Sequence, residues 1–446
     1  MSKRPGPGVP RPYSFPASIE HSLANGLRVA IVPMSRLPAA TVLYTADAGA
    51  ERDDAATAGA ASLAAQALGE GTDTRSAAEV AATFERLGGE LVADAGWTHA
   101  EAGTTVLSAR LPATMAILAE VVQQASFPEA GLERLRKERL SDLLQQRAEP
   151  RGLADDLFAS VCFGGTDRYG IPAAGSEQSV SACTGDTLRA FHRARHTPRS
   201  SLLIVSGDVI PDEVIRLAEA SFGAWEDREP PVTTPRTVMM RAGRGVYVAH
   251  KPDAPQSEIR VGHASVERTH PDFMALAVMN AILGGVFNSR INLNLREERA
   301  YTYGAFSSFD WRRHGSVFEV STAVKSDVTA DAVREILREI DRMRHEPVQR
   351  EELSLAIDYL TGVFPLRFET TAAIADAIAF REHFGLGRSY YDEYRTRLSR
   401  ITIAEVQRVA ETHLRPERLQ HVIVGDARLV SEPLAALDLG DVERLA

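Results

Sequence analysis

Cysteine is almost missing from this chain: Cys162 and Cys183 are the only two in 446 residues. Two thiols are too few for a disulfide framework or a thiolate zinc cage, and buried reduced thiols are the default in a reducing compartment. An excess of positive charge is also lacking. Fifty Lys and Arg stand against 60 Asp and Glu, a formal net charge of −10, and no basic stripe with interleaved aromatics occurs. That balance argues against nucleic acid and anionic membrane surfaces and favours a peptide or protein partner. No G-x-S-x-G nucleophile elbow and no Gly-rich phosphate loop is found, which removes the commonest signatures of serine hydrolases and nucleotide enzymes. The opening MSKRPGPGVPRPYSFP has no apolar stretch of the signal-peptide kind, and no run is expected to approach the roughly eighteen apolar residues of a membrane span. A cytoplasmic location is expected.

What the chain does have is length and an internal repeat. It is long enough for two large domains with full cores, and its halves share one grammar. The first half runs from the alternating RVAIVP (28–33) through TVLYTADAG, the helical GAASLAAQAL and a strand ending in TTVLSARLP. The helix ATMAILAEVVQQASF, a Pro break and the charged helix GLERLRKERLSDLLQQ follow. The second half runs GVYVAH, SEIRVGHAS, FMALAVMNAILGG, FEVSTAVK, DAVREILREIDRMRH, a break at Pro347, and REELSLAIDYLTGVF. Period-two strands beside helices of period three to four predict an α+β fold of two homologous domains. Each is expected to be a mixed sheet covered on one face by helices, the pair forming half of a clamshell. The expected domains are 1–227 and 241–446, with a Pro-rich, charged linker at 228–240.

Six local strings occur in an order that resembles the pitrilysin/insulinase metallopeptidases, nearest the short two-chain members related to mitochondrial processing peptidase. They are AGAERDD ending at Asp54, GEGT ending at Thr72, FERLGGEL (84–91), FHRARHTPRSSLLIVSGDV (191–209), FGAW, and ILGGVFNSRINLNLREERAYTYGAFSS (282–308). In catalytic members of that family an inverted motif, His-x-x-Glu-His, puts two imidazoles one helical turn apart on one zinc ion, with the Glu as general base. The corresponding string here is GAASLAAQALGEGT. Ser62 and Gln66 stand at the His positions and Ala65 at the Glu position. A third ligand is expected near residues 141–143, where Asp142 is the only carboxylate. The resemblance therefore implies a lost zinc site, with zinc expected on a homologous partner subunit and no cofactor on this chain. The other pair with helical metal spacing, His192 and His196, brackets Arg-Ala-Arg, which supplies no base and repels a cation; solvent-facing or capping roles are expected for both.

The second half keeps the family's other functional element, an Arg and a Tyr seven residues apart in REERAYTY: Arg296 and Tyr303. Ala300-Tyr301 stands where relatives have Gly-Leu. The resemblance implies that the pair reaches substrate near the partner's zinc, where a permanently charged guanidinium and a phenol can polarise a scissile carbonyl. Phe306, Phe309 and Trp311, next along the chain, are expected to serve the core. The expected function is that of a non-catalytic, peptide-binding subunit of a heterodimeric zinc metalloendopeptidase. The alternative is a purely structural or peptide-binding subunit derived from the same family.

Overall fold

The computed structural model describes residues 12–232, 238 and 240–445. Residues 233–237 and 239 of the expected linker lie outside the described residues, as do the first eleven of the chain. Two six-stranded mixed sheets organise everything else. The first contains β1 (Ile19–Ser22), β2 (Arg28–Pro33), β3 (Ala39–Ala46), β4 (Val92–Ala95), β5 (Ala100–Leu107) and β6 (Ser201–Gly207), in the order β1-β2-β6-β3-β5-β4. The second contains β7 (Gly245–His250), β8 (Gln256–Ser265), β9 (Ala305–Trp311), β10 (Ser316–Lys325), β11 (Gln420–Gly425) and β12 (Val442–Leu445), in the order β12-β7-β11-β8-β10-β9.

The repeat is a repeat of topology. β2, β6, β3, β5 and β4 correspond in order to β7, β11, β8, β10 and β9, and in both sheets the second strand of that series runs parallel to the first while the others are antiparallel. Only the outermost strand differs. The first sheet adds β1 antiparallel through a hairpin, and the second adds the C-terminal β12 in parallel.

Each sheet carries its own helices on one face. The second face has a different cover, one that alternation alone does not reveal. The helix Pro150–Phe163 of the first half packs on β8 and β11, and the helix Thr371–His383 of the second half packs on the equivalent β3 and β6. Both faces of the central strands are consequently dry, and every residue of Ser201–Gly207 and of Gln420–Gly425 is buried. The exchange is fixed by apolar contacts of Phe158, Cys162 and Phe163 with Tyr247, Val317 and Val422. Polar bonds add to it: Thr41 to Thr371 at 2.7 Å, Ser206 Oγ to the Thr371 carbonyl at 2.7 Å, and Arg260 to Asp155 at 2.7 Å. Burial pushes the thiol of Cys183 up to about 11 and that of Cys162 higher still, so both stay protonated.

The apolar segment Phe273–Glu298 is long and apolar enough to cross a membrane, contrary to the sequence expectation. Most of its apolar stretch is buried inside the second half, where Met274, Leu276, Val278, Met279, Ile282 and Leu283 join the core. The segment bends into π-turns at Ala281–Gly285 and again at Leu293–Glu298, the second carrying Arg296.

Candidate functional site

The helix that would carry zinc ligands, Ala60–Gln66, is short and anchored hard at its start. Asp53, from the AGAERDD string, accepts from the backbone N–H of Gly59 and of Ala61, both at 2.8 Å, and from Arg168 Nη2 at 3.2 Å. Burial raises the Asp53 carboxyl to about 6 against the pull of Arg168. Gly59 sits at φ 97°, the left-handed region that glycine enters at no steric cost. This local architecture fixes the direction of the helix whether or not a metal follows.

Inside the would-be metal pocket lies a guanidinium. Arg139, from the helix Glu129–Ala148, is 9% exposed, and its Nη2 donates to Ser62 Oγ at 2.9 Å and to Gln66 Oε1 at 3.1 Å. Its Nη1 donates to the Ala174 carbonyl at 3.3 Å. Ser62 Oγ and Gln66 Nε2 then donate to Asp94 Oδ1 on the edge strand β4, at 3.3 and 3.5 Å. Ser62 and Gln66 thus do meet at one point, as their spacing predicts, and the point is taken by an organic cation. Ala65 is fully buried and offers no atom that could move a proton. Asp142 is exposed and takes no part in the hydrogen bonds that Arg139 makes to Ser62, Gln66 and Ala174. Leu143, one turn beyond Arg139 and buried, occupies the inward position. Neutral Ser and Gln oxygens around a bound guanidinium do not fit a zinc ion.

Arg139 is the residue that sequence reasoning missed. Its signal was a charged side chain on the stripe Leu132, Arg139, Leu143, where helical spacing calls for apolar residues.

The His192 and His196 pair is internal, which corrects the expectation of solvent-facing rings. The two rings stack at 4.5 Å, His192 Nε2 donates to the Val122 carbonyl at 3.0 Å, and His196 Nδ1 meets the Tyr44 hydroxyl at 3.2 Å. Burial lowers the imidazole of His192 to about 4 and that of His196 well below its usual range, so both are neutral packing groups. A separate trio, His270, Asp272 and His413, has ligand atoms within 4.8 Å of one another. Its carboxylate is already engaged: Arg408 donates to both Asp272 oxygens, at 3.0 and 2.6 Å, and His413 Nε2 lies 2.8 Å from one of them.

Arg296 and Tyr303 lie on the second half, away from this pocket. Arg296 rests its guanidinium 4.4 Å over the Phe287 ring, with Glu297 at 3.5 Å as its carboxylate neighbour. The frame beneath is buried and hydrogen-bonded. Asn292, fully buried, accepts from the Ala305 N–H at 3.0 Å and donates to the Phe287 carbonyl at 2.7 Å, while Arg290 forks onto Glu352 at 2.7 and 2.8 Å. Tyr303 is 94% exposed, just ahead of β9, and shares no hydrogen bond with Arg296 or with the Ser62–Gln66 site. Phe306 is exposed beside it, while Phe309 and Trp311 stack at 4.9 Å in the core, as expected for those two.

The Ala300 departure has a structural consequence. The π-turn ends with the Arg299 N–H on the Asn294 carbonyl and the Tyr301 N–H on that of Leu295, which throws Ala300 to φ 54°. A side chain there is strained where glycine is not, so Ala300→Gly is expected to stabilise the chain by about 1 kcal/mol, visible as a higher urea midpoint at unchanged slope.

Comparison with known proteins agrees with this geometry. The family profile described as insulinase (peptidase family M16) matches residues 28–166, and the one described as peptidase M16 inactive domain matches residues 182–360. This chain belongs to the M16 peptidase family. An uncharacterized zinc protease of Mycobacterium bovis is 27% identical to it over 406 residues, covering 91% of this M16 chain and 92% of the relative. The probable mitochondrial-processing peptidase subunit beta of Arabidopsis thaliana is 24% identical over 422 residues, covering 90% and 77%. Among solved structures, a protease from Helicobacter pylori superposes with a TM-score of 0.86 at 19% identity, covering 92% of this chain and 100% of the other. A peptidase M16 inactive domain from Pseudomonas fluorescens gives 0.84 at 22%, covering 92% and 98%. The M16 fold is therefore shared at full length with proteins named proteases, although the residues at the zinc position in this chain are Ser62, Ala65 and Gln66.

Proposed function

We propose that this M16 chain is the non-catalytic, substrate-binding subunit of a heterodimeric zinc metalloendopeptidase. The observation that carries the reading is a contrast within one molecule. Arg139 fills the metal pocket, while Arg296 and Tyr303 stand on a hydrogen-bonded frame with no partner among the described residues beyond Phe287 and Glu297. A phenol that is almost fully exposed on a well-packed loop contributes nothing to folding, and an exposed aromatic of this kind is a common feature of recognition surfaces. Zinc chemistry belongs, in this reading, to a homologous partner. This chain binds the extended peptide, and its Arg296 and Tyr303 point donors at the scissile carbonyl. The likeness to a mitochondrial-processing peptidase subunit supports a two-chain assembly.

Co-expression with a homologue bearing an intact His-x-x-Glu-His motif is the test. A stable one-to-one complex is expected, with more than about 2,000 Å² buried, the scale of obligate interfaces. A zinc-bearing homologue that is fully active alone and ignores this chain would defeat the proposal.

A further inference from the structure

At the seam between the two halves lies a cavity of about 320 Å³ whose walls are dominated by arginine. Arg28, Arg195 and Arg199 reach it from the first half, Arg313 and His383 from the second, and Asp47 and Glu382 are the carboxylates in its lining. Both carboxylates are already committed. Asp47 accepts from Arg52 at 2.7 Å and from Arg313 at 2.9 Å, and Glu382 accepts from Arg28 at 2.8 Å and from Arg381 at 2.8 Å. Glu51, just behind, takes Arg313 at 2.7 Å and the Tyr169 hydroxyl at 3.0 Å. Arg199 is held by Asp227.

This allocation leaves Arg195 without an ion-pair partner among the described residues, half-buried at the end of the helix Gly185–Arg195. Its burial and, after that, the nearby Arg52 depress the guanidinium from its ordinary range, while Asp47 and Asp54 pull the other way. Arg313 adds a second unspent donor, a buried Nε with no acceptor. His383 is stacked on His99 at 4.4 Å with its Nε2 on Thr45, and burial keeps it neutral, so it adds a polar wall without adding charge.

We propose that this cavity is a binding site for a phosphate-class oxyanion that ties the two halves together. Guanidinium forks match the geometry of a tetrahedral oxyanion better than that of a chloride, and the volume lies at the small end of ligand pockets, roughly 300 to 1,000 Å³. Inorganic phosphate and the phosphate of a small phosphomonoester share the chemistry. Contact with Arg195 on one side and Arg313 on the other would make the ligand a bridge across the seam, stabilising the native arrangement by mass action.

The test is titration calorimetry of the full chain with inorganic phosphate, glycerol phosphate and acetate, each against sodium chloride of matched ionic strength. Saturable one-site binding of phosphate or of the phosphomonoester is expected, with a raised melting temperature. Arg195→Gln should weaken it roughly tenfold or more, the scale of one charge-assisted donor. A thermal melt of the unliganded Arg195→Gln protein that overlays wild type would show that the loss is not one of folding. Equal binding of acetate, heats that vanish against matched chloride, or wild-type affinity in Arg195→Gln would overturn the assignment.

Discussion

Replacing Tyr303 by Phe is expected to cost the reconstituted heterodimer roughly a hundredfold or more in turnover, the scale of one lost oxyanion donor at about 2.7 to 4 kcal/mol. The substitution deletes a single hydroxyl from a residue that is 94% exposed and hydrogen-bonded to nothing among the described residues, so folding and assembly have little to lose. Arg296→Ala is expected to lower turnover as well and to raise the Michaelis constant, because a charged donor grips the ground-state peptide along with the transition state. Arg296→Lys should rescue only partly, since an ammonium lacks the planar fork and the flat stacking that sets Arg296 on Phe287. Steady-state cleavage of a peptide by the pair decides between clamp and scaffold. Wild-type rates in both Tyr303→Phe and Arg296→Ala would make this chain a scaffold.

Restoring the ligands alone is expected to fail. A chain carrying Ser62→His, Ala65→Glu, Gln66→His and Leu143→Glu would regain the donor set, but a zinc ion there would face the Arg139 guanidinium, which now lies 2.9 and 3.1 Å from the side chains at the two ligand positions. A divalent ion about 4 Å from a unit positive charge is repelled by roughly 8 kcal/mol at an effective dielectric of about 20. Swinging Arg139 aside relieves part of this, at the expense of its bonds. Adding Arg139→Ala to the fourfold variant is therefore expected to raise zinc affinity roughly a thousandfold or more. Competition with a chromogenic chelator measures it. Tight zinc binding by the fourfold variant with Arg139 in place would show that the guanidinium is a bystander.

Much of this was legible in the residues. Alternating strands, the Pro breaks and the repeated helix order carried the two-sheet plan, because local apolar periodicity is what builds those elements. The exchanged helices Pro150–Phe163 and Thr371–His383 were not legible, since an amphipathic stripe does not say which sheet it will cover, and theirs lies far along the chain. At the site, the spacing of Ser62 and Gln66 correctly placed both on one face. What replaced the metal depended on Arg139 from another helix, a contact that no spacing rule reports. His192 and His196 were misplaced for a related reason: their helix is rich in arginine and looks solvated, yet its one inward face receives both rings. Phe273–Glu298 shows the same limit, an apolar segment whose burial comes from the second half's other helices.

The claim at the centre of this account is that the chain completes another subunit's site and holds no metal of its own. Metal analysis of the purified pair, and of this chain alone, tests it most directly. One zinc per heterodimer is predicted, retained by the partner after separation, with none on this chain and no chelator-sensitive cleavage by it. One tightly bound zinc on the isolated chain, accompanied by such cleavage, would contradict it.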